Sequence, residues 1–530
     1  MKSKRTVFIC AVLFAAGFIS RWSLVQKGFS SLDSVLYAIG TFDYSIQNNT
    51  PPSPGYFLYI MSGHFLNFIF HDPHKSLIFL SVFYSAGIAT LLFLLGKELF
   101  SQKAGLIAAL LFLTSPVFWY KGITIYGYIN SSFFLLLTAY FCSRVILGKS
   151  NFIYWCALGF AIAVGVRPQD FIPLFFLVLY TFWKVSWRLR LRALFLFGFT
   201  CLLWFVPLIS MSGGFKAYLS VLQYGSGYLV ENSIIGGDFF SQIHNHLVRL
   251  GQYIPRSYFL GLLPLIYSLG RIFNVVSLKE NKNIQFLCLL IFPQLLFNIF
   301  IQFAEIGHGL AWGLGGFLVI AESILIFSAD CVLLWKKIEN KFFQRINLCL
   351  VYTGCIMTVL VFILGFNVIL FFHNFRLDLY NYDRVIFDDR QFNYADLKTL
   401  HQHLLKKVGY IKEHYEPKEI LILSSRFYAQ LYYEFPKATV VRAESIVKKG
   451  KNMLFVCRDL RCQYTASQNK ISVPLGVQKL IIFDEPSLDD VNSEVEKKNI
   501  HLDEGTNLLE INVEKFREIL FSHQRIELLR

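Results

Sequence analysis

The chain has 530 residues, of which 55% are hydrophobic and 16% charged, and its formal net charge is +15. This composition is too apolar for a soluble globular protein and is typical of a protein with many membrane spans. The basic residues stand in short loops between apolar runs, where they set membrane orientation. The composition therefore argues against the soluble class, and the charge does not indicate nucleic-acid binding.

The first apolar run, residues 7–19, follows three basic residues and has the outline of a signal peptide. The many apolar runs behind it favour an uncleaved first span instead. Further runs approach the roughly 20 residues that cross a hydrocarbon core. They lie at about 76–96, 104–120, 127–147, 152–166, 171–183, 193–210, 258–275, 284–303, 309–335 and 347–372. The sequence thus predicts a polytopic α-helical membrane protein with about eleven transmembrane helices.

Lysine and arginine are distributed unevenly between the alternating loops of these spans. The loops on the side of the N-terminus hold more than twice as many of them as the opposite loops, leaving the tail aside. The positive-inside rule therefore predicts a cytoplasmic N-terminus. Because the number of spans is odd, the C-terminal tail is expected outside the cytoplasm.

A polar loop, residues 27–75, follows the first span and holds two acids, Asp33 and Asp43. An acid at the outer membrane surface could act as a general base or hold a metal at a leaving phosphate. Asp33 could equally be a solvated residue that caps the next helix. The Pro/Gly-rich corner before Tyr56 predicts an interfacial helix over 56–70.

Further polar residues fall at the predicted outer ends of spans. Arg167 stands between two apolar runs, where a buried arginine needs an anionic partner, either Asp170 or a phosphate. Glu305 and His308 either form a polar cluster near a lipid phosphate or simply terminate two helices. Lys121 is interpreted as a lysine that snorkels to the membrane interface. The polar segment 212–256 is rich in Gly and Tyr and suits a sugar-binding or lid loop, or any exposed loop.

The tail, residues 375–530, has frequent charges and only short apolar runs, which predicts a small α/β domain. Apolar residues at helical spacing predict an amphipathic helix over 393–414. Short buried strands are predicted at 419–424, 438–442, 452–457 and 479–484. Cys457 and Cys462 either form a small-loop disulfide or stay as two free thiols.

The order of these features resembles the GT-C superfamily of polyprenyl-phosphate-sugar-dependent glycosyltransferases. The nearest likeness is to bacterial proteins similar to protein O-mannosyltransferases and aminoarabinose transferases, which are glycosyltransferase family 39-like. The motifs that carry it are Asp33 in the first outer loop, Ser-Pro-Gly-Tyr at 53–56, Ser-Pro-Val-Phe-Trp-Tyr at 115–120, Gly-Val-Arg-Pro-Gln at 165–169 and Gly-His-Gly at 307–309. The chain departs from the family in lacking the acid that some members carry near the end of the third span.

The resemblance implies a bacterial inner-membrane enzyme with a GT-C-like catalytic unit, residues 1–374, and an extracytoplasmic domain behind it. It would move a hexose or pentose from a polyprenyl-phosphate-linked donor to a glycan, lipid or protein acceptor, with inversion. Asp33 would be the catalytic base. The residues expected to bind substrate are Arg167, Asp170, Glu305, His308, Asp43 and Tyr56. No cofactor follows from the resemblance with certainty, and a divalent metal is left open.

Two other functions are compatible with the composition. A transporter or lipid flippase usually places ionisable residues at mid-membrane and often shows inverted repeats. The sequence shows no such repeat, and its charges cluster at the ends of spans. A non-catalytic membrane protein that presents the α/β domain to a partner would have no need of Asp33.

Overall fold

The structure of the chain is a computed structural model. It describes residues 2–231, 233, 238–272, 281–301, 303, 306–338, 348–373, 393–424, 427–448, 451–457, 470–483, 497–503, 506–512, 518–521 and 524–529. These residues form two units. The helical unit contains Met1–Val25 and Ser53–Asp396, and the α/β unit contains Gln26–Pro52 and Leu397–Arg530.

The helices follow one another with short connections along most of the chain. They are α1 (Lys2–Trp22), α2 (Leu32–Gly40), α3 (Phe57–Phe70), α4 (Pro73–Leu99), α5 (Gln102–Thr114), α6 (Pro116–Gly122), α7 (Gly127–Ile146), α8 (Ile153–Val166), α9 (Phe171–Trp183), α10 (Trp187–Met211), α11 (Phe215–Glu231), α12 (Phe239–Tyr258), α13 (Leu262–Ile272), α14 (Lys282–Phe300), α15 (Leu310–Ile338), α16 (Leu348–Phe372), α17 (Tyr394–His414) and α18 (Tyr428–Glu434).

Among the described residues, seven helices are long and apolar enough to cross a membrane, namely α1, α4, α7, α10, α14, α15 and α16. Helices α5 and α6 meet at an angle of 67° and are together apolar enough to cross a membrane, so they form either an eighth, broken span or a re-entrant loop. The bend falls at Pro116, where a missing N–H group interrupts the helical hydrogen bonds. The predicted spans at 152–166, 171–183 and 258–275 correspond to the shorter helices α8, α9 and α13. The mostly helical membrane-type architecture is confirmed, whereas the number of eleven spans stays a prediction.

Helix α4 lies at the centre of the helical unit, and small residues let its neighbour approach closely. A Cβ atom on Gly105 of α5 would lie 2.3 Å from the carbonyl oxygen of Phe93 in α4. Without a hydrophobic driving force between helices in lipid, such close backbone contact is a main source of helix association. The pair α4–α5 therefore provides a rigid base for the kinked helix α6.

Arg21 connects α1 with α4 and α6. It is completely buried in α1, and its Nε donates a hydrogen bond of 2.7 Å to Ser85 Oγ in α4. Its guanidinium carbon also lies 5.7 Å from the ring of Trp119 in α6. A Cβ atom on Gly122 would lie only 3.1 Å from Arg21 Nε, so the last turn of α6 packs directly on this side chain. Arg21 thus fixes the position of α6.

Residues 212–256 are largely helical, so the prediction of a loop there is wrong. They form helices α11 and α12, whose apolar residues recur at helical spacing. Two side chains of α12 contact backbone carbonyl groups at the end of α14 and just beyond it. His246 Nδ1 lies 2.9 Å from the carbonyl oxygen of Ile299, and Arg249 Nη1 donates to that of Phe303 at 2.6 Å. Basic groups at the carboxyl end of a helix satisfy its last carbonyls and its dipole. The segment therefore supports the chain that leads to His308.

The α/β unit contains a six-stranded sheet with the order β3-β2-β1-β5-β7-β6, in which β1 pairs in parallel with β2 and β5. A second sheet has the order β4-β9-β8. The strands are β1 (Ile420–Ser424), β2 (Thr439–Lys448), β3 (Lys451–Cys457), β4 (Lys470–Ser472), β5 (Lys479–Ile482), β6 (Lys497–Asp503), β7 (Thr506–Asn512), β8 (Glu518–Phe521) and β9 (Gln524–Leu529). The four predicted strands and the helix at 393–414 are confirmed. The alternatives for Cys457 and Cys462 stay open because residue 462 lies outside the described residues.

Part of the polar loop that follows α1 belongs to the α/β unit. His401 Nε2 in α17 lies 3.2 Å from the carbonyl oxygen of Phe29, and the ring of Phe29 lies 5.1 Å from that of Tyr433. A Cβ atom on Gly28 would lie 2.8 Å from the His401 ring, so the backbone approaches that ring closely. Helix α2 follows directly and packs on α18. The first half of the loop is thus folded onto the end of the chain.

Candidate functional site

Basic side chains of the helical unit gather around one aromatic ring, that of Tyr128 at the start of α7. The guanidinium carbon of Arg167 lies 4.6 Å from the ring centroid, and Lys121 Nζ lies 5.6 Å from it. The ring of His308 lies 5.6 Å away, edge to face. Cations are attracted to aromatic faces, most strongly where water is excluded. We call Lys121, Tyr128, Arg167 and His308 the Tyr128 cluster.

Three interruptions of helical structure aim these side chains. Lys121 stands on the last turn of α6, behind the bend at Pro116. Arg167 ends α8 with an extended backbone, because Pro168 disfavours the helical conformation in the residue before it. His308 lies in a short 3-10 turn, Ile306–Gly309, that precedes α15. The turn is held by Asn298, whose Nδ2 donates to the carbonyl oxygen of His308 at 3.2 Å.

Arg167 and Asp170 form an ion pair inside the protein. Their side chains are 7% and 1% exposed, and Arg167 Nη1 lies 3.4 Å from Asp170 Oδ1. Burial raises the pKa of Asp170 to about 6, against the opposing effect of the Arg167 cation. A guanidinium has five N–H donors, so contact with a carboxylate through one nitrogen is compatible with contact to a second anion. The two alternatives from the sequence, Asp170 and a phosphate, do not exclude each other.

Lys121 does not snorkel to the interface, so that interpretation is wrong. The side chain is 1% exposed, and its Nζ lies 3.7 Å from the centroid of the Tyr126 ring. The physical reason is the 67° bend, because it makes α6 pack between other helices. Sequence reasoning missed Lys121, Tyr126 and Tyr128 as a group. The signal was a lysine followed within seven residues by two tyrosines, whose rings are natural partners of a buried cation.

Tyr56 lies beside Gly127, the residue before Tyr128 in the chain. A Cβ atom on Gly127 would lie 3.7 Å from Tyr56 Cδ1. The backbone of Tyr56 is left-handed, with a φ of 44°. This conformation is uncommon for a bulky residue, and such residues cluster at functional sites. The structure therefore brings four of the predicted substrate-binding residues into one region of the helical unit. They are Tyr56, Arg167, Asp170 and His308.

The predicted acids of the first loop lie in the α/β unit. Asp33 stands in the first turn of α2, half-buried, where a negative charge suits the helix dipole. The alternative that Asp33 caps this helix is wrong, because Ser31 does so. Ser31 Oγ accepts from the Ser34 N–H at 3.2 Å, and Ser34 Oγ accepts from the Ser31 N–H at 3.1 Å. Asp43 is exposed beyond the end of α2.

The described residues offer no group of three or more His, Cys, Asp or Glu side chains that could hold a metal ion. Glu305, a predicted substrate-binding residue, lies outside the described residues.

The contact between Gly307 and Tyr128 gives a first testable prediction. A Cβ atom on Gly307 would lie 2.3 Å from Tyr128 Cδ2, so Gly307→Ala must displace the central ring of the cluster. Such overpacking costs about 1–3 kcal/mol. We expect a lower thermal unfolding temperature for the detergent-solubilised variant. Gly354→Ala is the matched control, because nothing lies within 4 Å of that Cβ position. Equal unfolding temperatures for the two variants would contradict the packing.

Comparisons with known proteins agree with this fold. The family described as dolichyl-phosphate-mannose-protein mannosyltransferase matches residues 49–211, which include Tyr56, Lys121, Tyr128 and Arg167. The structure of ArnT from Cupriavidus metallidurans bound to undecaprenyl phosphate is similar over 97% of this chain and 99% of that one, with 11% identity and a TM-score of 0.54. The apo structure of the same ArnT has the same identity and coverage and a TM-score of 0.56.

An archaeal oligosaccharyltransferase is also similar. It is AglB from Archaeoglobus fulgidus in complex with an inhibitory peptide and a dolichol-phosphate, with 12% identity and a TM-score of 0.46 over 91% of this chain and 69% of that one. No curated protein matches the chain.

Proposed function

From its confirmed resemblance to the GT-C superfamily, we propose that the chain is an integral-membrane glycosyltransferase. It moves a hexose or pentose from a polyprenyl-phosphate-linked donor to a glycan, lipid or protein acceptor outside the cytoplasm. The observation that carries this proposal is the Tyr128 cluster, where the buried Arg167 and the half-buried His308 both contact the Tyr128 ring in a unit built from apolar helices. An anionic headgroup on an apolar lipid requires a buried cationic site next to the membrane. One matched ArnT structure holds undecaprenyl phosphate, a ligand of this chemistry.

In the proposed reaction, an acceptor hydroxyl attacks the anomeric carbon of the donor sugar on the face opposite the phosphate. The bond from the anomeric carbon to the phosphate oxygen breaks, and the configuration inverts. Asp33 takes the proton of the hydroxyl as general base. The electron pair of the broken bond leaves with the polyprenyl phosphate.

Arg167 would stabilise the charge that develops on the departing phosphate, and the region around His308 would assist. Fixed cations contribute most to catalysis where water is excluded, because their interaction with charge is stronger at low dielectric. Arg167 is only 6% exposed, which satisfies this condition. Asp170 would then orient the guanidinium rather than take part in the transfer.

The proposed setting is the inner membrane of a bacterium, with the N-terminus in the cytoplasm and the C-terminal domain outside. The uneven distribution of basic residues between the loops supports this orientation. The location of Lys121 and Arg167 at helix ends disfavours a transporter, which usually places ionisable residues at mid-membrane.

The proposal is tested with the purified full chain in lipid nanodiscs. Undecaprenyl-phosphate-linked hexoses and pentoses with a labelled sugar are supplied together with envelope lipids, glycans and proteins as acceptors. We expect the label to move to an acceptor and undecaprenyl phosphate to be released. A flippase would instead carry the labelled lipid across a liposome membrane without transfer. A parallel assay with EDTA reports whether a divalent metal takes part, and mass spectrometry of envelope glycans from a deletion strain identifies the acceptor.

A further inference from the structure

We infer that a groove between α3 and α4 holds part of the polyprenyl chain of the donor. The groove has a volume of about 420 Å³ and lies within the helical unit. Residues of α3, among them Leu58 and Ser62, line one side, and residues of α4, among them Phe79, Phe83 and Tyr84, line the other. We call it the α3–α4 groove. The inference rests on the proposed function and adds to it a binding site for the lipid chain.

The chemistry of the walls selects a hydrocarbon chain. Of the described residues that line the groove, only Ser62 and Tyr84 carry a side-chain oxygen, and none is charged. Ser62 Oγ donates a hydrogen bond of 2.7 Å to the carbonyl oxygen of Leu58 in its own helix, so its donor is already used. A pocket for a sugar or a charged headgroup needs several placed polar groups. The occupant of the groove is therefore the apolar part of a ligand.

The groove also lies at the depth of lipid chains. Helix α4 begins at Pro73, and Phe79 and Tyr84 follow it by about 9 and 17 Å along the helix axis. A helix of 27 residues is longer than the hydrocarbon core, which is about 30 Å thick, so both residues fall inside that core. Phe65 and Phe83, on opposite sides of the groove, are exposed in the protein. A membrane lipid can thus enter the groove sideways.

One end of the groove adjoins the Tyr128 cluster. A Cβ atom on Gly165 would lie 2.6 Å from Leu58 Cδ1, so Leu58 packs on the backbone two residues before Arg167. Tyr56, two residues before Leu58, lies beside the start of α7, which carries the central ring of the cluster. A lipid with its phosphate at Arg167 can therefore continue directly into the groove. In the proposed reaction this lipid is the polyprenyl donor.

The aromatic side of the groove favours an isoprenoid over a saturated acyl chain. The ring centroid of Phe79 lies 6.0 Å from that of Phe83, 5.3 Å from that of Phe70 and 6.1 Å from that of Trp22. Rings that pack on one another in this way form a stiff surface. Ordering a flexible chain against such a surface costs conformational entropy for each rotor that is immobilised. An isoprenoid has a double bond in every unit that does not rotate, so it loses less entropy than a saturated chain of equal length.

The test fills the groove with a bulky side chain. Ser62→Trp places a large ring between the two helices, whereas Ser62→Ala adds no bulk. Ile69→Trp is the matched control, because Ile69 is exposed on the same helix and does not line the groove. Binding of undecaprenyl phosphate and of dipalmitoyl phosphatidic acid to the full chain is measured by native mass spectrometry.

We expect Ser62→Trp to weaken binding of undecaprenyl phosphate about 10-fold, which corresponds to the lost burial of about two methylene groups. Binding of phosphatidic acid should stay unchanged, and so should both affinities in Ser62→Ala and Ile69→Trp. In the transfer assay, Ser62→Trp should raise the KM for the donor and leave kcat unchanged. The reason is that the chain is held equally in the ground state and the transition state.

Wild-type binding of undecaprenyl phosphate by Ser62→Trp would overturn the inference, while the proposed function would stand. A loss of binding for both lipids, or an equal loss in Ile69→Trp, would overturn it as well, because the groove would then not select the donor chain. If the wild-type protein neither binds undecaprenyl phosphate nor transfers sugar, the proposed function itself fails. Should Ser62→Trp not fold, Leu66→Phe adds less bulk to the same side of the groove, and the same results are expected of it.

Discussion

Replacing Asp33 with asparagine is expected to abolish sugar transfer without affecting membrane insertion or folding. Asparagine has nearly the same shape but cannot accept the proton of the acceptor hydroxyl, and a general base contributes about 10²–10⁴-fold to a rate. The fold should tolerate the change because the capping box of α2 is formed by Ser31 and Ser34 and not by Asp33. The measurement is kcat/KM for transfer from a labelled undecaprenyl-phosphate sugar, together with the unfolding temperature.

The matched control for Asp33 is Glu413→Gln, which neutralises an exposed acid of the same unit on α17. It should leave transfer unchanged. A fully active Asp33→Asn variant would remove Asp33 from the mechanism. The base would then be sought among Asp43, Asp170 and Glu305, the other acids considered from the sequence.

Replacing Arg167 with methionine is expected to have the second large effect, on stability and on activity. The change leaves Asp170 buried beside an apolar side chain, and breaking a buried ion pair in this way costs about 3–5 kcal/mol. Loss of a group that stabilises developing charge costs about 10²–10³-fold in kcat. Arg167→Lys keeps the charge but loses the planar fork, so we expect an intermediate activity. Both effects are measured on the detergent-solubilised protein by thermal unfolding and by transfer kinetics.

A double variant separates these two effects. The variant Arg167→Met/Asp170→Asn removes both charges of the buried pair, so no unpaired carboxylate remains. The unfolding temperature should therefore recover most of the loss caused by Arg167→Met, whereas the rate of sugar transfer should not recover. Arg188→Met is the control, because that arginine is exposed at the start of α10. A double variant with wild-type kcat/KM would show that Arg167 serves the fold alone.

Local sequence patterns predicted much of the α/β unit and of the helical architecture. Short apolar runs such as 420–424 have few alternatives to a buried strand, and the apolar residues of α17 recur at helical spacing. The strands β4 and β6 to β9 were not predicted, since their residues are mixed in polarity and their pairing depends on distant partners. The inclusion of residues 26–52 in this unit was missed for the same reason, because the contact of Phe29 with His401 joins residues 372 positions apart.

The members of the Tyr128 cluster were identified from the sequence in part. Arg167 and His308 were identified because a charge between apolar runs is costly and therefore informative. Lys121 was misinterpreted, since a lysine at the end of an apolar run looks the same whether it reaches the interface or turns inward. The direction of the Lys121 side chain depends on how α6 packs after the bend at Pro116, and this packing depends on several distant parts of the chain. For Tyr128 the only signal was its place seven residues after Lys121, which has a meaning only once Lys121 is known to turn inward.

The hydrogen bond between His401 and Phe29 also has a consequence for biosynthesis. Residue 29 leaves the ribosome hundreds of residues before its partner, so helix α2 and the carboxylate it carries must wait for the last quarter of the chain. A nascent or truncated polypeptide can insert its spans while Asp33 still stands on an unfinished segment. Under the proposed function, premature stop codons near the end of the gene should therefore abolish sugar transfer without removing the protein from the membrane.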